Sequence, residues 1–127
     1  LKVGATPDDP SRIINIGSVD GIRVPIWDNY SYAASKAGLH HLSKTLVRPL
    51  AEQNININTI APGPFSTDMM APMKEGGWSD TVTSAVPLNR FGEADDIIGT
   101  AIFLASPASS YITGATIPVD GGMSGST

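Results

Sequence analysis

A long helical pattern lies between two short apolar runs, and this order limits the possible folds more than any other feature of the sequence. Residues 12–16 form a nearly continuous apolar run rich in isoleucine, which is typical of a strand buried on both faces. Residues 30–53 carry leucines at helical spacing, and residues 55–61 form a second such run that stops at Pro62. A strand, a helix and a strand in this order predict a βαβ unit with parallel strands.

The rest of the chain extends this unit into an α/β fold with three strands, two long helices and a lid. Residues 93–105 predict the second long helix, with acidic residues in its first turn, where the helix dipole favours them. Residues 115–119 predict the third strand, and Pro118 suggests an edge or a strand end. Residues 64–89 show no strong period, which indicates a lid or binding segment; the alternative is a loop that only covers the core. Pro49 should kink or end the first helix.

Composition excludes several classes of function. The 127 residues suit one domain, and a net charge of -4 without a basic patch argues against nucleic acid or an anionic membrane as partner. No apolar run approaches the length of a membrane span, about 20 residues. The absence of cysteine excludes thiolate metal sites and fits a reducing compartment, so we expect a cytoplasmic protein. His40 and His41 are adjacent and cannot share a helix face, so we expect surface or interface histidines and no metal site.

Tyr32 and Lys36 are the first candidates for catalysis. They lie four residues apart in the helical pattern, so their side chains share one face. An ordinary tyrosine is too weakly acidic to transfer protons at neutral pH, but a lysine ammonium beside it stabilises the phenolate. The alternative is a surface helix that exposes an unrelated tyrosine and lysine.

Two further groups follow the first two strands. Ser18 comes directly after the first strand, and Pro62 and Gly63 end the second. Ligands of parallel sheets bind outside the carboxyl ends of the strands, which makes Ser18 a candidate for a binding site. Alternatively, Ser18 caps a turn, and Pro62 and Gly63 only stop a strand.

Taken together, these stretches resemble the C-terminal half of the classical short-chain dehydrogenase/reductase family, whose fold is a Rossmann-like doubly wound parallel sheet. The resemblance covers nearly the whole chain, in the family's order and spacing. Its motifs are IINIGS at 13–18, YAASKAG at 32–38, NTIAPG at 58–63, PFST at 64–67 and GATIPVDGG at 114–122.

The resemblance implies reversible hydride transfer between NAD(P)H and a carbonyl or alcohol. Ser18 would hydrogen-bond the substrate oxygen, Tyr32 would transfer the proton, and Lys36 would assist Tyr32 and hold the nicotinamide ribose. The segment after the second strand would cradle the nicotinamide of NADP or NAD, with NADP slightly favoured. Its contacts would come from Pro62, Gly63, Phe65 and Thr67, and Tyr32 and Lys36 would also contact the nucleotide.

The substrate class is less narrowly implied. The stretches around Ser18 and Gly63 are most similar to 3-oxoacyl-(acyl carrier protein) reductases, including those of rhamnolipid synthesis. An acyl substrate would contact Ser18 and a set of acidic, aromatic and thioether side chains: Asp20, Trp27, Met69, Met70 and Met73. Sugar, polyol, steroid or small-alcohol dehydrogenases share the same motifs and remain alternatives.

The resemblance also implies that residues 1–127 are a partial domain. The family's glycine-rich phosphate loop lies upstream of these motifs, and the chain begins at Leu1 rather than Met. We therefore expect a missing N-terminal half and an inactive chain on its own. The family forms homodimers or homotetramers, here expected through the helix at 30–53. The rival hypothesis is a truncated, non-catalytic relative that serves as a binding or assembly module.

Overall fold

The fold is built on a parallel sheet. The computed structural model describes residues 1–72 and 76–126, apart from the side chain of Met69. Within this part, three parallel strands pair in the order β1-β2-β3, which confirms the predicted α/β fold. They are β1 (Ser11–Ile16), β2 (Ile55–Pro62) and β3 (Thr116–Val119). The most buried strand is β2, as its central place in the sheet requires.

The described helices surround this sheet. They are α1 (Tyr30–Thr45), α2 (Val47–Ala51), α3 (Ser79–Ser84) and α4 (Ala94–Ala105). The two long helices were predicted from the sequence. Asp96, in the first turn of α4, accepts the N–H of Glu93 at 2.8 Å. An acidic residue of the first turn therefore provides the hydrogen bond that this N–H would otherwise lack.

The predicted helix at 30–53 is divided in two, as Pro49 predicts. The interruption falls at Leu46, between α1 and α2. Pro49 has no N–H for the Thr45 carbonyl, and its ring clashes with that carbonyl in a straight helix. The chain therefore bends one turn before the proline.

Side chains hold the sheet from both faces. Asn15 and Thr59 lie opposite each other in the β1–β2 register, and both bind the Ser43 hydroxyl of α1. Asn56 and Asn58 project from the other face of β2, because alternate strand residues point to opposite faces. Their amides donate to the carbonyls of the segment that follows α4, at 2.9 and 2.8 Å. The sheet is therefore covered by helical segments on both faces.

The face of α1 that packs inward differs from the expected leucine stripe. Its buried residues are His40 and Ser43, whereas Leu42 is 51% exposed. Polar residues can face the sheet here because each is hydrogen-bonded, Ser43 to the strands and His40 to the main chain of Ser18.

The segment predicted as a lid, residues 64–89, contains more regular structure than the sequence indicated. It includes a short 3-10 turn, Asp68–Met70, and helix α3. Its beginning is fixed by a bridge in which Phe65 pairs with Gly92. None of the helices in residues 1–72 and 76–126 combines the length and the apolar character needed to cross a bilayer.

Candidate active site

The first component of the site is the turn at the carboxyl end of β1. Ser18 begins a 3-10 turn, Val19–Gly21, by accepting the Asp20 N–H at 3.2 Å. This bond uses a lone pair of the hydroxyl and not its proton. Asp20 in turn accepts a 2.6 Å hydrogen bond from the amide of Asn29, so the turn is tied to the start of α1. Ser18 therefore does cap a turn, and it also lines the cavity described below.

The second component is the first half of α1. Tyr32 is 38% exposed, and the Lys36 ammonium lies 5.5 Å from the centre of its ring. Lys36 Nζ also donates to the carbonyl of Ile16 at 2.9 Å, which holds it against the end of β1. The geometry gives the tyrosine a fixed cationic neighbour, as the four-residue spacing predicts.

The third component is the chain that leaves β2. Gly63 is packed so closely that a Cβ on it would lie 2.8 Å from the Cα of Asp120. The ring of Phe65 lies against Gly92, where an added Cβ would meet it at 2.8 Å. Main-chain hydrogen bonds from Gly92 to Pro64 and from Ser66 to Gly92 fix this path. The chain from Gly63 to Ser66 is therefore held in place by these contacts and forms a fixed base for the residues that follow it.

These components surround one open cavity of about 600 Å³. The structure brings together ten of the twelve residues that the sequence singled out. Those lining the cavity are Ser18, Asp20, Trp27, Tyr32, Lys36, Pro62, Gly63, Phe65, Thr67 and Met70. Of the other two, Met69 has no described side chain and Met73 lies outside the described residues.

Sequence reasoning missed several lining residues: Asn29, Ala94, Ile97 and Met123. Asn29 directly precedes the tyrosine helix, so its position could have been inferred. Met123 reaches the cavity because the turn at Asp120 folds the tail back, through hydrogen bonds from the N–H groups of Gly122 and Ser124. It is 3% exposed and packs with Val19 and Val86. No local pattern in the sequence signals that contact.

Asp120 is the carboxylate on which this turn depends. Burial alone would raise its pKa, but the hydrogen bonds from Ser124, Gly122 and Met123 outweigh burial and lower the pKa below the usual aspartate value. Asp120 is therefore ionised at neutral pH, when it can accept all of these bonds.

A smaller cavity, of about 280 Å³, lies beside the first one. Its charged residues are Arg90, Asp96 and Asp120. Arg90 and Asp96 form a two-point ion pair at 2.6 and 2.8 Å. The side-chain hydrogen bond from Arg90 lowers the pKa of Asp96. Because these two charges satisfy each other at the start of α4, we interpret the pair as structural.

The position of His40 corrects a sequence-based expectation. Its ring is 7% exposed, so the predicted surface or interface position is wrong for this residue, although it holds for His41. His40 is four residues after Lys36 and eight after Tyr32, so the helical spacing already placed all three on one face. Nε2 of His40 accepts the main-chain N–H of Ser18 at 3.3 Å, which compensates the ring for its burial.

Comparison with protein families gives one match along almost the whole chain. A family model described as Enoyl-(Acyl carrier protein) reductase matches residues 3–124. Among curated proteins, the chain is 41% identical over 123 residues to the rhamnolipids biosynthesis 3-oxoacyl-[acyl-carrier-protein] reductase of Pseudomonas aeruginosa. That alignment covers 96% of this chain and 48% of the relative.

Solved structures give the same picture. The active-site complex of Pseudomonas aeruginosa RhlG with NADP superposes with a TM-score of 0.89 at 38% identity, over 97% of this chain and 50% of that one. A gluconate 5-dehydrogenase from Burkholderia cenocepacia, in complex with NADP and tartrate, gives a TM-score of 0.87 at 34% identity, over 93% and 46% of the two chains. The chain therefore spans about half the length of the relatives it matches.

Proposed function

The chain belongs to the short-chain dehydrogenase/reductase family, and on that premise we propose that the protein carrying it is an NAD(P)H-dependent carbonyl reductase. Its preferred substrates are 3-oxoacyl thioesters. One observation carries the proposal: Ser18, Tyr32 and Lys36 come from two different elements and line the same cavity. Two hydroxyl groups and one ammonium are the donors that a carbonyl oxygen needs while it gains negative charge.

The cavity suits a nicotinamide nucleotide. It is open to solvent, and its walls offer the Lys36 ammonium and the segment that follows β2. Lys36, Pro62, Gly63, Phe65 and Thr67 would hold the nicotinamide half. When bound, the reduced nucleotide supplies the hydride that the carbonyl carbon accepts.

The chain's own residues deal with the oxygen and the proton. As the C=O double bond becomes a single bond, the Tyr32 hydroxyl gives its proton to the oxygen and the product is an alcohol. The Ser18 hydroxyl donates a hydrogen bond to the same oxygen; in other enzymes one such donor is worth roughly 10²- to 10³-fold in rate. Lys36 stabilises the phenolate that remains on Tyr32, and the reverse reaction uses the same groups.

The acyl part of the substrate is proposed from the apolar wall. Trp27, Met70, Ile97 and Met123 line the cavity, and flexible thioethers suit acyl chains of different shapes. The names of the P. aeruginosa relatives support a 3-oxoacyl substrate attached to acyl carrier protein, with NADP as the nucleotide. In this proposal residues 64–89 act as the lid over the acyl chain, and Met69 and Met73 belong to it.

The proposal also covers the oligomeric state of the protein and its compartment in the cell. It works as a homodimer or homotetramer through the outer face of α1 and α2, where Leu42 is exposed, and it works in the cytoplasm, which supplies NADPH. The rival hypothesis of a non-catalytic module is disfavoured because a decayed site has no reason to keep Ser18, Tyr32 and Lys36 around one cavity.

The test is an assay of the protein purified from its source. The loss of reduced-nicotinamide absorbance is followed with NADPH or NADH and three substrates: a 3-oxoacyl thioester, the matching enoyl thioester and a keto sugar acid. We expect turnover of the 3-oxoacyl thioester, faster with NADPH, and none of the enoyl thioester, whose reacting carbon is not bonded to oxygen.

Nucleotide binding is measured separately, by quenching of tryptophan fluorescence. The proposal would be overturned if the protein bound no nicotinamide nucleotide and turned over no carbonyl substrate. The hypothesis of a non-catalytic assembly module would then remain. Turnover of the sugar acid alone would keep the reductase chemistry but overturn the acyl substrate.

A further inference from the structure

We propose that His40 is a positioning residue that fixes the Ser18 hydroxyl in the active site by accepting the main-chain N–H of Ser18. The inference rests on the proposed function, in which Ser18 binds the substrate oxygen. His40 itself is absent from the residues that line the cavity, so it acts through Ser18 and not on the substrate.

The fit around the ring is the first support. A Cβ on Gly17 would lie 2.0 Å from His40 Nε2, and a Cβ on Gly21 would lie 2.9 Å from Cε1. Both distances are too short for real atoms, so the imidazole occupies a slot that exists only because these two residues are glycines. The slot lies directly against Ser18 and the 3-10 turn that Ser18 begins.

The hydrogen-bond pattern is the second support. Nε2 accepts the Ser18 N–H at 3.3 Å, so this nitrogen must carry its lone pair. A neutral imidazole has one donor and one acceptor, which assigns the proton to Nδ1. The main chain of Gly21 also lies against the ring, because a Cβ built on Gly21 would meet Cε1 of His40. The ring therefore bonds the main chain of Ser18 and packs against Gly21 at the other end of the turn, which fixes the position of the residue that carries the hydroxyl.

The environment keeps the ring neutral. Burial lowers the pKa of His40. A hydrogen-bonding interaction with the Gly21 backbone raises the pKa, and the ammonium groups of Lys36 and Lys44 lower it. The net effect is a pKa below the usual histidine value. These two lysines are the charged groups that act on the ring from α1. The β1–α1 turn presents main chain, and β2 presents the methyl group of Thr59 beside Gly17. In acid, a proton on Nε2 turns the acceptor into a donor that faces the Ser18 N–H, and the turn must shift.

The test uses the full protein that carries this chain, with two substitutions that separate the acceptor from the volume. His40→Gln keeps an acceptor where Nε2 was, whereas His40→Phe keeps a ring without one. His41→Gln is the matched control, since His41 is an exposed histidine on the same helix. For each variant, kcat and KM for the 3-oxoacyl thioester are measured against pH, together with NADPH affinity.

We expect His40→Phe to lose kcat on the order of 10- to 100-fold, since a small misplacement of a catalytic group has that effect, with NADPH affinity unchanged. His40→Gln should recover most of the rate and retain it at acid pH, where the wild type declines. The proposal would be overturned if both variants lost kcat equally, or if kcat of His40→Gln declined at acid pH as it does in the wild type. His40 would then have only a structural role.

A second readout does not depend on turnover. In ¹⁵N-labelled protein, the Ser18 amide signal should shift with pH as His40 titrates, and its hydrogen exchange should accelerate in His40→Phe. If the protein has no reductase activity but the Ser18 amide follows His40, the proposed function fails while the hydrogen bond stands. If the amide ignores His40 in an active enzyme, the positioning role fails alone.

Discussion

At the scale of single residues, Tyr32 is the proposed proton donor, and the chain contains a control for it. Tyr32→Phe removes the hydroxyl but keeps the ring near Lys36, so kcat should fall roughly 10²- to 10⁴-fold while NADPH affinity is retained. Tyr30 lies two positions earlier on the same helix, is 78% exposed and donates to Asp28. Tyr30→Phe should therefore leave kcat unchanged. If both variants are equally active, Tyr32 is not the proton donor.

Asp120 gives a prediction on pH and stability. Its pKa is lowered in the folded state by hydrogen bonds that outweigh burial, so its stabilising effect is present above the unfolded pKa, about 4, and is lost as pH falls below it. Asp120→Asn accepts fewer hydrogen bonds and should lower the urea midpoint at neutral pH but not in acid. Glu52→Gln, which alters an exposed carboxylate, is the control. An equal loss at both pH values would contradict this assignment.

The sequence predicted residues whose roles depend on local spacing and missed those that depend on distant contacts. Tyr32 and Lys36 follow from the helical repeat alone. The burial of His40 follows only once Gly17 is known to lie against it, and the two are 23 residues apart in sequence. Met123 reaches the cavity through a turn whose shape depends on Asp120.

At the scale of elements, the sequence was enough to predict the helix α1, but not which face of α1 packs against the sheet. Leucine spacing predicts a helix, and the helix exists. Its inward face is set by hydrogen bonds between Ser43 and the strands, which a hydrophobic pattern cannot show. Helix α3 was missed for a related reason: six residues are too few to display a helical period.

The close approach of α1 to the end of β1 predicts opposite effects for two glycines. Gly17→Ala forces a methyl group to within 2.0 Å of His40 Nε2 and should cost about 1 to 3 kcal/mol or more of stability, with loss of kcat. An alanine at Gly38, four residues before Leu42 on the outer face of α1, meets nothing within 4 Å in a single copy. It should stabilise the helix by up to about 1 kcal/mol when it is made in the Leu42→Arg background, in which the proposed contact between copies is removed. Urea unfolding and kcat of both variants test this. A neutral Gly17→Ala would mean that the helix does not approach so closely.

At the scale of the whole molecule, the proposed homodimer or homotetramer gives a prediction about α1. Leu42 is 51% exposed on this helix, which leaves an apolar side chain for a second copy to bury. We expect Leu42→Arg to reduce the mass measured by light scattering to that of a smaller assembly. Val24→Arg replaces an even more exposed apolar residue in the preceding loop, and it should leave the mass unchanged. An unchanged mass in Leu42→Arg would move the interface to another surface.

The exposed surface of β1 and α4 predicts that residues 1–127 do not fold stably by themselves. In the described part of the chain, β1 pairs with β2 on one edge only, and α4 exposes Ile102 at 63% and Phe103 at 39%. An unpaired edge and apolar helix faces promote association and leave little core to offset chain entropy.

Produced alone, this chain should bind a hydrophobic dye, unfold over a broad range of urea and show no turnover, in contrast to the protein purified from its source. A sharp unfolding transition without dye binding would show that the three-strand sheet suffices for folding. The exposed faces of β1 and α4 would then be surfaces for a partner rather than for the remainder of a domain.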